Sequence, residues 1–223
     1  MKNLKLVVVL IFFTSCSKKP EVIPVTNENV KDVLTTYFSK NPERNVTIET
    51  DYGVMKITLY DDTPLHTANF IKHIKEGTYE NAEFYRIFYQ FMIQGGIFPK
   101  ELAYTIPAEF NPKYIHKKGA LSMARSDENN PNLESSATEF FVVQGSPYAD
   151  YQVANEEENN KLKLTPEQRQ IYMSQGGYMS LDQQYTVFGE VTEGLDVIDK
   201  IASVKVYSQD KPLKTIRIRI TLE

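Results

Sequence analysis

The fold turns on FYRIFYQFMIQGG, residues 84–96. Apart from Arg86, Gln90 and Gln94, every residue before its glycine pair is aromatic, aliphatic or Met. Such a run favours two β-strands joined near 88–90. Side chains alternate faces along a strand, so Met92 and Gln94 share one face of the second strand, and Arg86 can face the same way from its neighbour. The result is a cation, an apolar floor and an amide on one surface. Phe84, Ile87, Phe88 and Ile93 read as core. A guanidinium is rarely desolvated without a partner, so Arg86 in this apolar company calls for an explanation.

Working outward, VTIETDYGVMKITLY (46–60) holds two alternating runs around 51–53, which predicts a β-hairpin. TPLHTANFIKHIKEG (63–77) predicts a helix with Thr63 as N-cap, Pro64 at its first position and Gly77 as terminator; Leu65, Asn69, Phe70 and Ile74 trace its inner face. GALSMA (119–124), TEFFVVQG (138–145) and YTVFGEV (185–191) read as short strands. EGLDVIDKIA (193–202) reads as a second helix and TIRIRITLE (215–223) as a closing strand with Arg217 and Arg219 outward. NVKDVLTTYF (29–38) carries Val30, Val33, Leu34 and Phe38 at helical spacing. Many short strands with isolated helices predict a mainly β architecture, a closed barrel capped by helices. Residues 149–177 break the rhythm: an acidic, Asn-rich run, then Thr165, Pro166 and Glu167 as a helix start, stopped by Gly176 and Gly177. This insert is either a surface elaboration or a shaper of specificity near the site.

The N-terminus predicts an exported protein. MKNLK is basic and LVVVLIFF (6–13) is apolar, too short for the about 20 residues a bilayer span needs, so it reads as a signal segment. FTSC (13–16) then resembles a bacterial lipoprotein signal, with Cys16, the one cysteine, as the lipidated first residue of the mature chain. The alternative is an ordinary cleaved signal peptide with Cys16 incidental, but Phe13 is too large for the small-residue pattern of that cleavage site. With no second cysteine, an internal disulfide is excluded. SKKPEVIPVTNEN (17–29) is polar with two prolines and reads as a tether. The expected organisation is a leader over 1–15, a membrane tether with a short helix over 16–45, and a folded domain over 46–223. Its address would be the bacterial cell envelope, with inner and outer membrane both open.

Several chemistries lack their residues. The net charge of −4 gives no support to a nucleic-acid partner, which needs clustered Lys and Arg. The three histidines, His66, His73 and His116, lack the spacing and acidic or thiol company of a metal site, so no metal or other cofactor is expected. No Ser nucleophile motif or phosphate loop occurs, and Cys16, once lipidated, is no thiol nucleophile. Nothing forces an oligomer, and a monomer is expected.

FYRIFYQFMIQGG resembles a segment of the cyclophilins, and ALSMAR, TEFFVV and YTVFGEVTEGLDVIDKI resemble three further cyclophilin blocks in the family's order. TPLHTANFIKHIKEGTY is similar to the family's first-helix pattern. The resemblance spans about 46–222, interrupted by the insert. It implies an eight-stranded antiparallel cyclophilin-like β-barrel capped by two helices, here with a helical insert. It also implies peptidyl-prolyl cis–trans isomerase activity on proline-containing, unfolded or flexible polypeptides. Carried over by position, Arg86 and Gln94 would be catalytic. Phe91, Met92, Ala124, Arg125, Phe141, Leu181 and Tyr185 would bind substrate, with the backbone near Ala124 and Arg125 hydrogen-bonding the peptide. The chain departs from the family pattern in having Tyr85 where His is common, Glu139 for a frequent Gln, Ser180 where Trp often precedes the Leu, and Tyr185 for a His at the rim. The missing Trp leaves cyclosporin sensitivity open and bears on peptide preference. Joined to the leader, the reading is a lipid-anchored isomerase helping exported or envelope proteins to fold. The alternative is a membrane-tethered proline-peptide-binding chaperone with little catalysis.

Overall fold

The computed structural model describes residues 24–97 and 102–223. The leader, Cys16 and the first part of the tether lie outside them. None of the described helices is long and apolar enough to cross a membrane.

The chain begins with α1 (Val30–Lys40) and the hairpin of β1 (Asn45–Thr50) and β2 (Gly53–Leu59), in which Thr50 pairs with Gly53 across the expected turn. Helix α2 (Pro64–Lys75) follows, then β3 (Glu83–Phe88), β4 (Met92–Gly96), β5 (Ala120–Met123) and β6 (Glu139–Val143). The insert supplies α3 (Asp150–Asn160) and α4 (Pro166–Ser174), and the chain ends with β7 (Val187–Glu193), α5 (Leu195–Ala202), β8 (Ile216–Arg217) and β9 (Arg219–Leu222). All pairings are antiparallel, in the order β8-β3-β4-β6-β5-β7-β2-β1-β9. The two outermost strands of that order are neighbours in sequence. One extended tail bends at Ile218, whose N–H donates to Ala82 O at 3.0 Å, pairing with β3 before the bend and β1 after it. The sheet thereby nearly closes on itself, and the eight strands expected become nine because the closing strand is broken at this corner.

The interior is filled by alternate residues: Ile48, Met55, Ile57, Ile93, Leu121, Met123, Phe140, Val142 and Phe188. Phe70 of α2 plugs it, edge-on to Phe140 and Phe188 at 5.4 Å each, and α5 contributes Val197, Ile198, Ile201 and Ala202. Phe84, Ile87 and Ile93 are buried there as expected. Phe88 is not: it is 45% exposed, because it lies at the end of β3 on the outward side, where its ring meets the edge of Phe91 at 5.6 Å.

Helix α2 begins where the pattern placed it, but Thr63 does not cap it with its side chain. The carboxylate of Glu109 does so, accepting the N–H groups of Leu65 and His66 at 3.0 Å each and meeting His66 Nδ1 at 2.6 Å. An acid from a distant loop thus satisfies the free N–H groups and complements the positive end of the helix. Helix α4 starts where the sequence predicts, and the structure adds a capping box there, with Gln168 N donating to Thr165 Oγ1 at 3.2 Å and Thr165 N to Gln168 Oε1 at 2.9 Å. Helix α3 has no counterpart in the sequence reading, since its polar run carries almost no apolar face. Only Val153 of α3 is buried.

Candidate active site

Two strands build the reactive-looking surface, and a β-bulge shapes it. Between Phe84 and Arg86 the register of β3 against β4 shifts. Phe84 and Ile87 both point inward, so the two residues between them, Tyr85 and Arg86, both stay partly outside. An extra residue on one strand does this by opposing two side chains to one on its partner. Both reach Gln94: Arg86 Nη1 donates to Gln94 Oε1 at 3.4 Å, and Gln94 Nε2 donates to Tyr85 Oη at 2.5 Å. Burial, and then the charge of Glu139, push the Tyr85 phenol up, so it stays protonated and can donate to the Glu139 carboxylate. Arg86 also lies 3.5 Å through Nε from Asp210 Oδ2, in the loop before β8.

Pairing continues the row across the sheet. Arg86 faces Gln94, Gln94 faces Phe141, and Phe141 faces Ser122. Paired strands lie about 4.8 Å apart, so the guanidinium stands at the edge of an apolar floor. That floor is a second hydrophobic cluster outside the barrel interior, made of Met92, Ala120, Ala124, Phe141, Val143, Leu181 and Val187. Phe91, Tyr178 and Tyr185 form its partly exposed walls. Phe91 rests on Tyr178 at 4.3 Å, and Tyr185 stands edge-on to Phe141 at 5.7 Å. The Arg125 guanidinium lies over the Tyr185 ring at 4.0 Å and is further held by Asp127 and by Gln184 O.

The structure therefore gathers Arg86, Phe91, Met92, Gln94, Ala124, Phe141, Leu181 and Tyr185 at one surface, with Arg125 stacked on Tyr185. One expectation needs correcting. The backbone of Ala124 is already spent, its N–H on Glu139 O and its carbonyl on Ser136 N, both at 2.8 Å. Arg125, beyond the end of β5, makes no backbone hydrogen bond among the described residues, so it alone of the two has backbone groups free for a peptide.

A buried polar line beneath the floor escaped the sequence reading. His116 Nδ1 meets Asp182 Oδ1 at 2.8 Å, and His116 Nε2 meets Ser122 Oγ at 2.9 Å. Tyr172 of α4 donates to Asp182 Oδ2 at 2.6 Å. A Ser, His and Asp in line can activate a nucleophile when the serine meets substrate. Here Ser122 and His116 are fully buried and Asp182 is 3% exposed, so the line braces the site instead. The His116 ring lies flat beneath Phe141 at 6.1 Å, and Asp182 follows Leu181 in the chain. Nothing in residue spacing joins positions 116, 122, 172 and 182; only their identity as polar residues among apolar neighbours hinted at burial with partners.

The insert is part of this construction. Tyr172, Val153, Ile115 and Met179 form a third apolar cluster against the barrel wall. The returning chain crosses at Gly177, which bridges to Lys117 and Ser146. Gly145 opposite has φ +59°, and a Cβ there would lie 2.2 Å from Gly177 O, so the crossing demands glycine. Tyr178, the next residue, then becomes the wall against Phe91.

Residues 45–222 match the sequence family described as cyclophilin type peptidyl-prolyl cis-trans isomerase/CLD. A Staphylococcus saprophyticus protein, provisionally named as a peptidyl-prolyl cis-trans isomerase, is 33% identical over 198 residues, covering 83% of this chain and 96% of its own. A solved cyclophilin type peptidyl-prolyl cis-trans isomerase of Cryptosporidium parvum is similar in fold, with TM-score 0.60, 21% identity and coverage of 81% of this chain and 98% of that one. The same protein in the presence of the dipeptide Ala-Pro gives 0.59 and 22%, over 81% and 99%.

Proposed function

The chain belongs to the cyclophilin-type peptidyl-prolyl cis–trans isomerase family, and on that premise we propose that Arg86 drives its reaction, on proline-containing segments of exported or envelope proteins. The activity is rotation about the X–Pro bond. That bond resists rotation with a barrier of about 18–20 kcal/mol, because amide resonance holds it planar. In the twisted state the resonance is gone and the proline nitrogen carries a lone pair. A donor aimed at that nitrogen stabilises the twisted state more than either planar one, which is what acceleration requires. Arg86 is permanently charged and carries fixed donors. No covalent bond forms or breaks, so the residues need only hold, orient and hydrogen-bond.

The observation that carries this reading is the row in which Arg86, held by Gln94, stands beside the apolar floor of Met92, Phe141 and Leu181. The proline ring fills the floor between Phe91 and Tyr185, and burying such a group is worth about 1.5–3 kcal/mol, enough for weak and general recognition. Gln94 holds the guanidinium, and the free backbone of Arg125 takes the peptide. The test is cis-to-trans exchange of an Ala–Pro peptide by the purified protein and by Arg86→Ala. Loss of a preorganised donor costs about 100- to 1,000-fold, and an equal rate in a folded variant would sink Arg86's role.

The leader supports a lipid anchor at Cys16 that holds the enzyme, as a monomer, at the envelope. Radiolabelled fatty acid should enter the wild type and not Cys16→Ser, and the variant should leave the membrane fraction. Equal labelling, or equal partitioning, would overturn the anchor.

A further inference from the structure

The loop from α5 to β8 does more than return the chain. Val206 bridges to Pro212, Tyr207 N donates to Lys211 O at 2.7 Å, and Leu213 N donates to Lys205 O at 3.0 Å, so the segment is a small hairpin with a defined tip. The tip, Ser208–Asp210, lies against β3. Gln209 and Asp210 both take left-handed backbone conformations, at φ +73° and +63°. Two such residues in succession, neither of them glycine, are unfavourable unless the surroundings impose them. Their effect is to turn the Asp210 carboxylate toward Arg86, where Oδ2 lies 3.5 Å from Nε.

Arg86 is thus engaged at two of its three nitrogens from two separate elements: Nη1 by Gln94 on β4, and Nε by Asp210 on the hairpin. A guanidinium is a rigid plane, so a hydrogen bond at Nη1 and an ion pair at Nε together restrict its orientation. Nη2 makes no hydrogen bond among the described residues and is the donor left over for a peptide. We propose that Asp210 is a positioning residue for isomerisation, holding the Arg86 plane so that its remaining donor meets the proline nitrogen without prior reorganisation. This rests on the reading of Arg86 given above.

Both partners are partly exposed, Arg86 at 41% and Asp210 at 31% of the side chain, so salt screens their attraction. Asp210→Ala should lower kcat about 5- to 20-fold while KM stays within about twofold, a fraction of what losing the donor itself costs. Raising ionic strength from about 0.05 M to about 1 M should lower the wild-type kcat toward the variant's and leave the variant flat. Asp210→Asn keeps the shape of the tip without the charge and should show the same flat salt response. Asp210→Glu, which restores the charge, should recover at least half of the lost rate. In an Arg86→Ala background, Asp210→Ala should have no further effect. Wild-type kcat in both Asp210→Ala and Asp210→Asn overturns the proposal, and so does a higher rate, which would make the carboxylate a competitor for the guanidinium. An Arg86→Ala protein at full rate would instead remove the reading of Arg86 itself.

Discussion

Tyr172 Oη, brought by the insert, lies 2.6 Å from Asp182 Oδ2, one residue past Leu181 in the floor of the pocket. Burial and the Asp182 charge push the Tyr172 phenol up, so it remains a donor at neutral pH. Asp182 in turn holds His116, whose ring supports Phe141. The insert therefore connects to the apolar floor through buried hydrogen bonds. Tyr172→Phe removes only the hydroxyl and leaves a buried carboxylate oxygen unpaired, at a cost of about 1–3 kcal/mol. Denaturant unfolding should show that loss with an unchanged slope, and KM for a proline peptide should rise. A variant as stable as wild type would mean that the insert merely covers the barrel.

Arg86→Lys separates charge from geometry. An ammonium has no planar fork and cannot engage Gln94, Asp210 and the peptide nitrogen together. Isomerisation should fall at least about 10-fold despite the conserved charge, against about 100-fold or more for Arg86→Ala. Full activity in the lysine variant would show that a point charge suffices.

Tyr85→Phe tests the bulge. The Gln94 amide loses the phenol oxygen that accepts its N–H at 2.5 Å, and is freer to rotate away from Arg86. The expected signature is a lower kcat, by about 3- to 10-fold, with little change in melting temperature, because a partly exposed hydrogen bond adds only about 0.5–1.5 kcal/mol. A fall confined to KM would place Tyr85 in peptide binding and not in holding Gln94.

His73 carries a pH signature in stability. Its Nε2 meets Tyr104 Oη at 2.9 Å and its Nδ1 meets Thr78 Oγ1 at 3.0 Å, inside the packing of α2. Burial, helped by the neighbouring Lys72 charge, lowers its pKa from 6.5 to about 4. The unfolded chain therefore binds a proton that the folded chain refuses, so this contribution is complete above about pH 6.5 and is lost as the pH falls toward 4. Unfolding free energies at pH 7 and 4.5 should differ less in His73→Gln than in the wild type, by about 2–3 kcal/mol. An identical pH dependence in the two proteins would refute it.

Phe84 and Phe88 belong to one strand and make a matched pair. Phe84 is fully buried in the barrel and Phe88 is 45% exposed. Phe84→Ala should cost about 3–5 kcal/mol, and Phe88→Ala less than about 1 kcal/mol. Comparable losses would place Phe88 in the core after all.

Much of the barrel was legible along the chain because alternation is a local property. Ile93 against Met92 and Gln94, and Phe140 and Val142 against Phe141 and Val143, follow from side chains pointing to opposite faces of a pleated strand. The same rule misplaced Phe88, since alternation and hydrophobicity do not say where a strand meets its turn. The insert was legible at α4, where Thr165, Pro166 and Glu167 spell a helix start, and not at α3, whose helix buries one residue of its own. Arg86, Met92 and Gln94 were grouped by alternation alone, whereas Phe141 and Leu181 joined them only through the family resemblance; the registers set Gln94 beside both Arg86 and Phe141, and the second apolar cluster holds Met92, Phe141 and Leu181.

By itself, then, the sequence determined the strands, their two faces, the first and last barrel-capping helices and the family to which they belong, all of which are written in short-range periodicity and contiguous motifs. The tertiary structure alone decided the bulge that sets Tyr85 and Arg86 together on Gln94, the acid that caps α2, the line from Tyr172 to Ser122, and the arrival of Asp210 at Arg86. These depend on residues far apart in the chain, each satisfying a hydrogen bond or charge that its own neighbours leave open. No periodicity records such a match, because it exists only after the barrel has closed.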